Sequence, residues 1–233
     1  VKLLNFYLSA LSKDDASALM PSMSEVAFSS GAIIYRPGDL VDAVYFPGSA
    51  CLSVITTMED GTSVESATVG RESAIGLLDA ATGSRSVSQV LAQIPGSGHL
   101  LPAAAFRARL AQSPTLLDLT LRHARAIAVQ SEQGVACNVT HSVHGRLARW
   151  LLMTQDRVGS STFPLTQEYM AVMTGVQRST VSVMASALKK AGVINYNRGQ
   201  VTIRDREALL KHACECYGVV RDQFEALRSV ATD

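Results

Sequence analysis

The chain has 233 residues, of which 47% are hydrophobic and 18% charged, and a formal net charge of +1. That length holds one large or two modest domains with a sizeable core, and no stretch approaches the roughly 18 apolar residues of a membrane span. Cys51, Cys137, Cys214 and Cys216 form no CxxC pair and are too few for a disulfide scaffold, which points to a soluble protein of a reducing cytoplasm.

The first twenty residues predict one or two short helices, stopped by Pro21. Leu3, Tyr7 and Leu11 recur at i, i+4 and i+8 and no A-x-A-like site follows, so an amphipathic helix is preferred to a signal peptide. From Glu25 to about Pro102, short runs rich in Val, Ile, Thr and Tyr alternate with Gly and Pro, among them residues 32–35 before Arg36-Pro37-Gly38-Asp39. The clearest hairpin spans 51–69, with Asp60-Gly61 expected in a type I′ turn. Six or more strands at this spacing imply an antiparallel sandwich or roll.

A short helix is expected over 102–110, and Pro114 suits the first turn of a long one over 115–136. Along it, Leu117, Leu121, Ala124, Ala128, Ser131, Val135 and Asn138 recur in steps of four and three, a small-residue seam suited to pairing with a second copy. The alternative is that this stripe faces its own domain. Asn138 is the expected hinge, with a new helix starting near Val139.

Residues 165–203 carry the most specific pattern. A first helix is expected over 167–173 with Thr166 as N-cap, a left-handed Gly175, and a second helix over 178–190 ended by Ala191-Gly192. Ala171, Gly175 and Val181 supply the small contact, the turn and the buried anchor that two steeply crossing helices need, which is helix-turn-helix spacing. Residues 193–203, turning at Asn197-Arg198-Gly199, predict a hairpin wing. Residues 1–112 hold 7 Lys/Arg against 10 Asp/Glu, whereas 140–212 hold 10 against 4. The positive charge therefore lies on the stretch that phosphate neutralisation requires. Asp205 is a candidate N-cap for a further helix, and the residues beyond it to Asp233 read as helical.

This order is an α+β chain: an antiparallel β-roll over 1–112, a dimerisation helix over 113–137, and a winged helix-turn-helix domain with a helical extension over 138–233. It resembles the Crp/Fnr family of bacterial transcription regulators, on Arg36-Pro37-Gly38-Asp39, on Val143-His144-Gly145-Arg146-Leu147-Ala148 and on the helix-turn-helix. The resemblance implies a cyclic-nucleotide-binding-like sensor roll, a homodimer on a two-fold-symmetric double-stranded operator, RNA polymerase as a further partner and an effector of unknown identity.

The start of a recognition helix lies closest to base edges, so Gln177, Arg178, Ser179, Thr180 and Ser182 are the candidate base readers, Arg178 above all. Thr166 is a candidate for phosphate, and Arg198 at the wing tip for backbone phosphate or the minor groove. Lys189 and Lys190 suit a solvated helix end. By resemblance, Arg178 falls on the family's guanine-reading arginine, while Ser179 and Val183 stand where relatives often carry glutamate and a second arginine.

Arg85-Ser86 resembles the second half of the family's phosphate cassette, but the first half aligns to Ala74-Ile75, with Glu72 out of register. An ordinary cyclic nucleotide would leave its ribose hydroxyl unpaired there, at about 1–3 kcal/mol. The iron–sulfur cluster of some relatives needs clustered N-terminal cysteines, and only Cys51 lies in the roll. Cys137, His141 and His144 fall at i, i+4 and i+7 as a candidate metal or haem cluster. The preferred reading is a buried Cys137 in the dimer seam with solvent-facing histidines. Cys214 and Cys216, on a helix, would diverge by about 200° and chelate poorly. No metal or cofactor is therefore expected. There is no G-x-S-x-G, Walker A, H-E-x-x-H or helix-opening G-x-G-x-x-G, which argues against an enzyme. A scaffold dimer without DNA is the other alternative.

Overall fold

A computed structural model describes residues 4–229. The chain opens with α1 (Phe6–Ser9) and α2 (Lys13–Leu19), N-capped by the side chains of Asn5 and Ser12, and a 3-10 turn over Met20–Ser22. Tyr7 is buried and Leu11 partly so, but α1 ends before Leu11, so the two do not share one helical face, and Leu3 lies outside the described residues.

The roll is two antiparallel sheets. One orders β1 (Ser24–Phe28), β7 (Gly96–Pro102) and β3 (Ala43–Pro47), and the other β2 (Ile33–Tyr35), β6 (Gln89–Ile94), β4 (Cys51–Thr57) and β5 (Ser63–Val69). Val44, Phe46, Leu52, Val69, Val90 and Leu101 fill the space between them, closed off by Tyr7 and Phe106.

The β4–β5 turn is not type I′. Gly61 is left-handed at φ 84°, but Asp60 is not, and Gly61 N–H donates to Met58 O at 3.0 Å. This is a type I turn followed by a left-handed glycine, held by Asp60 Oδ1 accepting from Thr62 N–H at 2.8 Å. A helix that the sequence did not announce, α3 (Leu77–Thr82), follows β5 between the left-handed Gly76 and Gly83. A Cβ on Gly76 would lie 2.9 Å from Ala43 O, so the close approach as well as the φ demands glycine.

After α4 (Ala103–Leu110), helix α5 runs over Pro114–Thr140, capped by Ser113. It continues through Asn138, and the break falls instead at His141, with Ser142 capping α6 (Val143–Val158). Its inward face buries Leu116, Leu119, Thr120, His123, Ala126, Gln130 and Cys137. Most of the small-residue stripe points the other way: Leu117, Leu121 and Val135 are 45%, 56% and 69% exposed, and Ala128 and Asn138 are exposed too. Ala124 and Ser131 are half-buried instead, and Ser131 Oγ donates to Ser66 O of the roll at 3.2 Å, so the stripe is outward at five of its seven positions.

The last third contains α6, β8 (Thr162–Pro164), α7 (Gln167–Thr174), α8 (Arg178–Lys190), β9 (Ile194–Asn197), β10 (Gln200–Ile203), α9 (Arg206–His212) and α10 (Cys216–Ser229). The wing gains an unexpected third strand, in the order β8-β10-β9. Leu147, Leu151, Phe163, Leu165, Met170, Val181, Leu188 and Val201 form its core. Residues 230–233 of the expected terminal helix lie outside the described residues. No described helix is long and apolar enough to cross a membrane.

Candidate DNA interface and effector cavity

The two-helix unit follows from local chemistry. Thr166 Oγ1 accepts the Tyr169 N–H at 3.3 Å and starts α7, and Gly175 ends it at φ 64°. Gln177 N-caps α8 through its backbone. Val181, fully buried, anchors α8 beneath α7, so the opposite face looks outward. Gln177, Arg178 and Ser179 are exposed at the N-terminal end, with Thr180 and Ser182 half-buried beside them. Val183 is 60% exposed and so does not pack inside its own domain.

Two residues that sequence reasoning missed complete this face. Glu168 pairs with Arg178 at 2.7 Å, and Gln167 accepts from Arg178 Nε at 3.3 Å while approaching Ser182 Oγ at 3.4 Å. The available signal was positional: both follow the Thr166 cap, and a helix-turn-helix brings the starts of its two helices together. Lys189 donates to Tyr196 O at 3.1 Å, so it ties the end of α8 to the wing. At the wing tip, Arg198 has φ 48°, the only positive φ at a described non-glycine residue, followed by Gly199 at 74°. Two successive left-handed residues make the type I′ turn here.

A cavity of about 240 Å³ lies between the roll and α5, lined by residues that include Tyr35, Asp79, Ser86 and His123. The two halves of the candidate phosphate cassette part company there. Ser86 lines the cavity, but its hydroxyl donates to Ser88 O at 2.7 Å. Arg85 turns away and donates to Gly38 O at 2.8 Å. Among the described residues, no Arg or Lys lines this cavity. Burial pushes the His123 pKa from 6.5 down to about 4, and its Nε2 meets Ser73 Oγ at 2.6 Å, so the ring is neutral. Burial also raises the Asp79 pKa. Glu72 faces elsewhere and pairs with Arg157 of α6 at 2.9 Å.

The cysteines and histidines also depart from expectation. Cys137 is buried, but on the inward face of α5 rather than in the seam. His144 lies beyond the helix break and meets His212 at 3.1 Å. Cys214 precedes α10 instead of sharing a helix with Cys216, so the divergence expected of two helical residues does not apply. Cys137, His141, Cys214 and Cys216 come together, with one ligand atom of each within 4.8 Å of the others.

Residues 25–113 match the cyclic nucleotide-binding domain and residues 145–212 the Crp-like helix-turn-helix domain. The chain belongs to the Crp/Fnr family. It is similar to the global nitrogen regulator of Synechocystis sp., at 24% identity over 87% of this chain and 93% of that protein. In fold it is similar to FixK2 from Bradyrhizobium japonicum, with a TM-score of 0.71 at 17% identity over 82% of this chain and 98% of the other. A Crp/Fnr-family regulator from Thermus thermophilus gives 0.65 at 19% identity over 82% and 98%. This Crp/Fnr protein is a DNA-binding transcription regulator.

Proposed function

We propose that the protein acts in the cytoplasm as a homodimer on a two-fold-symmetric operator, and that its input is not an ordinary cyclic nucleotide. The outward face of α8 carries this reading, with Arg178 exposed at the helix start and braced by Glu168. Arg178 suits bidentate bonding to guanine O6 and N7, worth roughly 1–3 kcal/mol of discrimination. Gln177, Ser179, Thr180 and Ser182 contact neighbouring base edges or backbone. Thr166 uses its oxygen as the cap and keeps its hydroxyl proton for a phosphate, and Arg198 reaches the backbone from the wing. Ser179 and Val183 give the protein an operator of its own, with Val183 suited to a thymine methyl.

The exposed α5 stripe supplies the self-pairing surface, and a two-fold dimer spaces its half-sites about 34 Å apart or a multiple of it. RNA polymerase is the further partner. For the effector, Arg85 and Ser86 were the candidates, yet the cavity offers a cyclic phosphate no cation and sets Asp79 against it. A small ligand without a phosphate suits that lining better.

Selection of binding sites from random DNA, with and without cell extract, tests the reading. A two-fold-symmetric site is expected, and Arg178→Ala should relax one base pair per half-site. Unchanged selectivity with Arg178→Ala refutes its role, and micromolar binding of cyclic AMP or cyclic GMP by calorimetry refutes the effector reading.

A further inference from the structure

The geometry points to a metal site at the hinge between α5 and the DNA-binding domain: Cys137, His141, Cys214 and Cys216 bind one Zn²⁺ in a Cys3His tetrahedron. Cys137 Sγ lies 3.5 Å from Cys214 Sγ, and Cys216 Sγ lies 3.4 Å from His141 Nδ1. Zinc bonds of about 2.3 Å to sulfur and 2.0 Å to nitrogen set tetrahedral edges of about 3.8 Å for S···S and about 3.5 Å for S···N. The four ligand atoms, all within 4.8 Å of one another, need only small rotations to meet these. An iron–sulfur cluster, with several metal and sulfide atoms between its thiolates, would need them further apart.

The surroundings are those of a metal site rather than of four packed side chains. His141 Nε2 meets Glu215 Oε1 at 3.1 Å, which places the ring proton on Nε2 and directs the Nδ1 lone pair at the cysteines, although Thr140 Oγ1 also lies 3.5 Å from Nδ1. A carboxylate behind a ligating histidine is the usual outer partner of such a ligand. Gln133 donates to Cys216 Sγ at 3.1 Å. Arg149 is 8% exposed, its Nε has no hydrogen-bond partner, and its charge acts on both Cys137 and Cys214. Binding releases three thiol protons and leaves three thiolates on a dication, a net charge of −1 that Arg149 offsets. The ligands come from the end of α5, the break after it and the entry to α10, so the ion would fix the DNA-binding domain to the dimer helix.

The test uses the full chain, purified reduced. Elemental analysis should find one zinc per chain. Cobalt(II) added to the metal-free protein should give thiolate-to-cobalt charge transfer and the intense visible bands of a tetrahedral site. Cys214→Ser should weaken cobalt binding by more than about 100-fold and Glu215→Gln by about 10-fold, while Cys51→Ala leaves it unchanged. Because a serine variant can fail to fold, His141→Cys provides a second arm: it should retain the ion with a shifted all-sulfur spectrum. Absence of the charge-transfer band in the wild type, or a metal content indifferent to Cys214→Ser, would overturn the assignment.

Discussion

Replacing Arg198 with asparagine should move stability and DNA binding in opposite directions. Arg198 sits at φ 48° at the tip of the wing, with Gly199 at 74° beside it. A left-handed conformation costs an ordinary L-residue roughly 1–2 kcal/mol, and asparagine tolerates it far better. Arg198 is exposed, so the exchange removes little packing. The variant should therefore gain up to about 1 kcal/mol, which for a chain of this size is roughly 2–4 °C in melting temperature. On DNA, a dimer loses one cation per wing and so two phosphate neutralisations. The slope of log affinity against log salt should become shallower by about 1.8, from 0.9 per phosphate. Thermal unfolding by circular dichroism gives the first quantity, and fluorescence anisotropy of a labelled operator at four or more salt concentrations the second. A melting temperature that falls would show that the turn is not strained by arginine. An unchanged salt slope would show that Arg198 does not reach the backbone.

Three further outcomes are expected. Glu168→Gln removes an exposed ion pair worth about 0–1 kcal/mol, so stability should barely change. With that negative charge gone and Arg178 unbraced, competition binding should show tighter non-specific DNA and a several-fold loss of discrimination at one base pair. His123 gives a pH dependence of definite sign: its folded pKa of about 4 lies below the 6.5 of the unfolded chain. Between those values the unfolded state binds the extra proton, so the contribution is complete above about pH 6.5 and is lost as pH falls towards 4. The loss amounts to about 3 kcal/mol, and denaturant titrations should find it absent in His123→Gln. Gly70→Ala would place a Cβ 2.9 Å from Arg157 Cα and closer still to its Cβ. Helix α6 must then move off the roll, at about 1–3 kcal/mol, and hydrogen exchange at its C-terminal turns should accelerate.

What the sequence revealed and what it withheld divide by the range of the interactions involved. Thr166, Ala171, Gly175 and Val181 define the two-helix unit within sixteen residues, so α8 falls on its expected bounds of Arg178–Lys190. Asp-Gly at 60–61 is compatible with two hairpin turns, and the choice rests on one backbone angle at Asp60 that composition does not encode. Helix α3 is only six residues, too short for a period, and exists because Gly76 lets the chain pass Ala43. Arg85 and Ser86 are neighbours in sequence, but one faces Gly38 and the other the cavity. The cysteine–histidine cluster was the least legible. Its members are up to 79 residues apart, and Cys214 and Cys216 diverge only if one helix carries both, whereas α10 begins at Cys216.

The joint between the roll and α6 can serve either stability or registration, and the two roles are separable. Arg157, 3% exposed, pairs with Glu72 at 2.9 Å, donates to Thr68 O at 3.1 Å and Met153 O at 3.2 Å, and meets Gln130 of α5. It therefore ties three bodies at once: the roll, α5 and α6, the first helix of the DNA-binding domain. Desolvating two charges absorbs most of what their attraction returns, so a buried pair adds little net stability. Removing one partner is nevertheless costly, at about 3–5 kcal/mol, because the other is left buried and unpaired. Glu72→Leu should accordingly unfold the protein at markedly lower denaturant than Arg157→Met combined with Glu72→Leu, which should recover most of the loss. If registration is the purpose, the double variant should be stable but imprecise, with normal unfolding and weakened operator binding, since the Arg157 tie between α6, α5 and the roll is then gone. A double variant that binds operator like the wild type would assign the joint to packing alone.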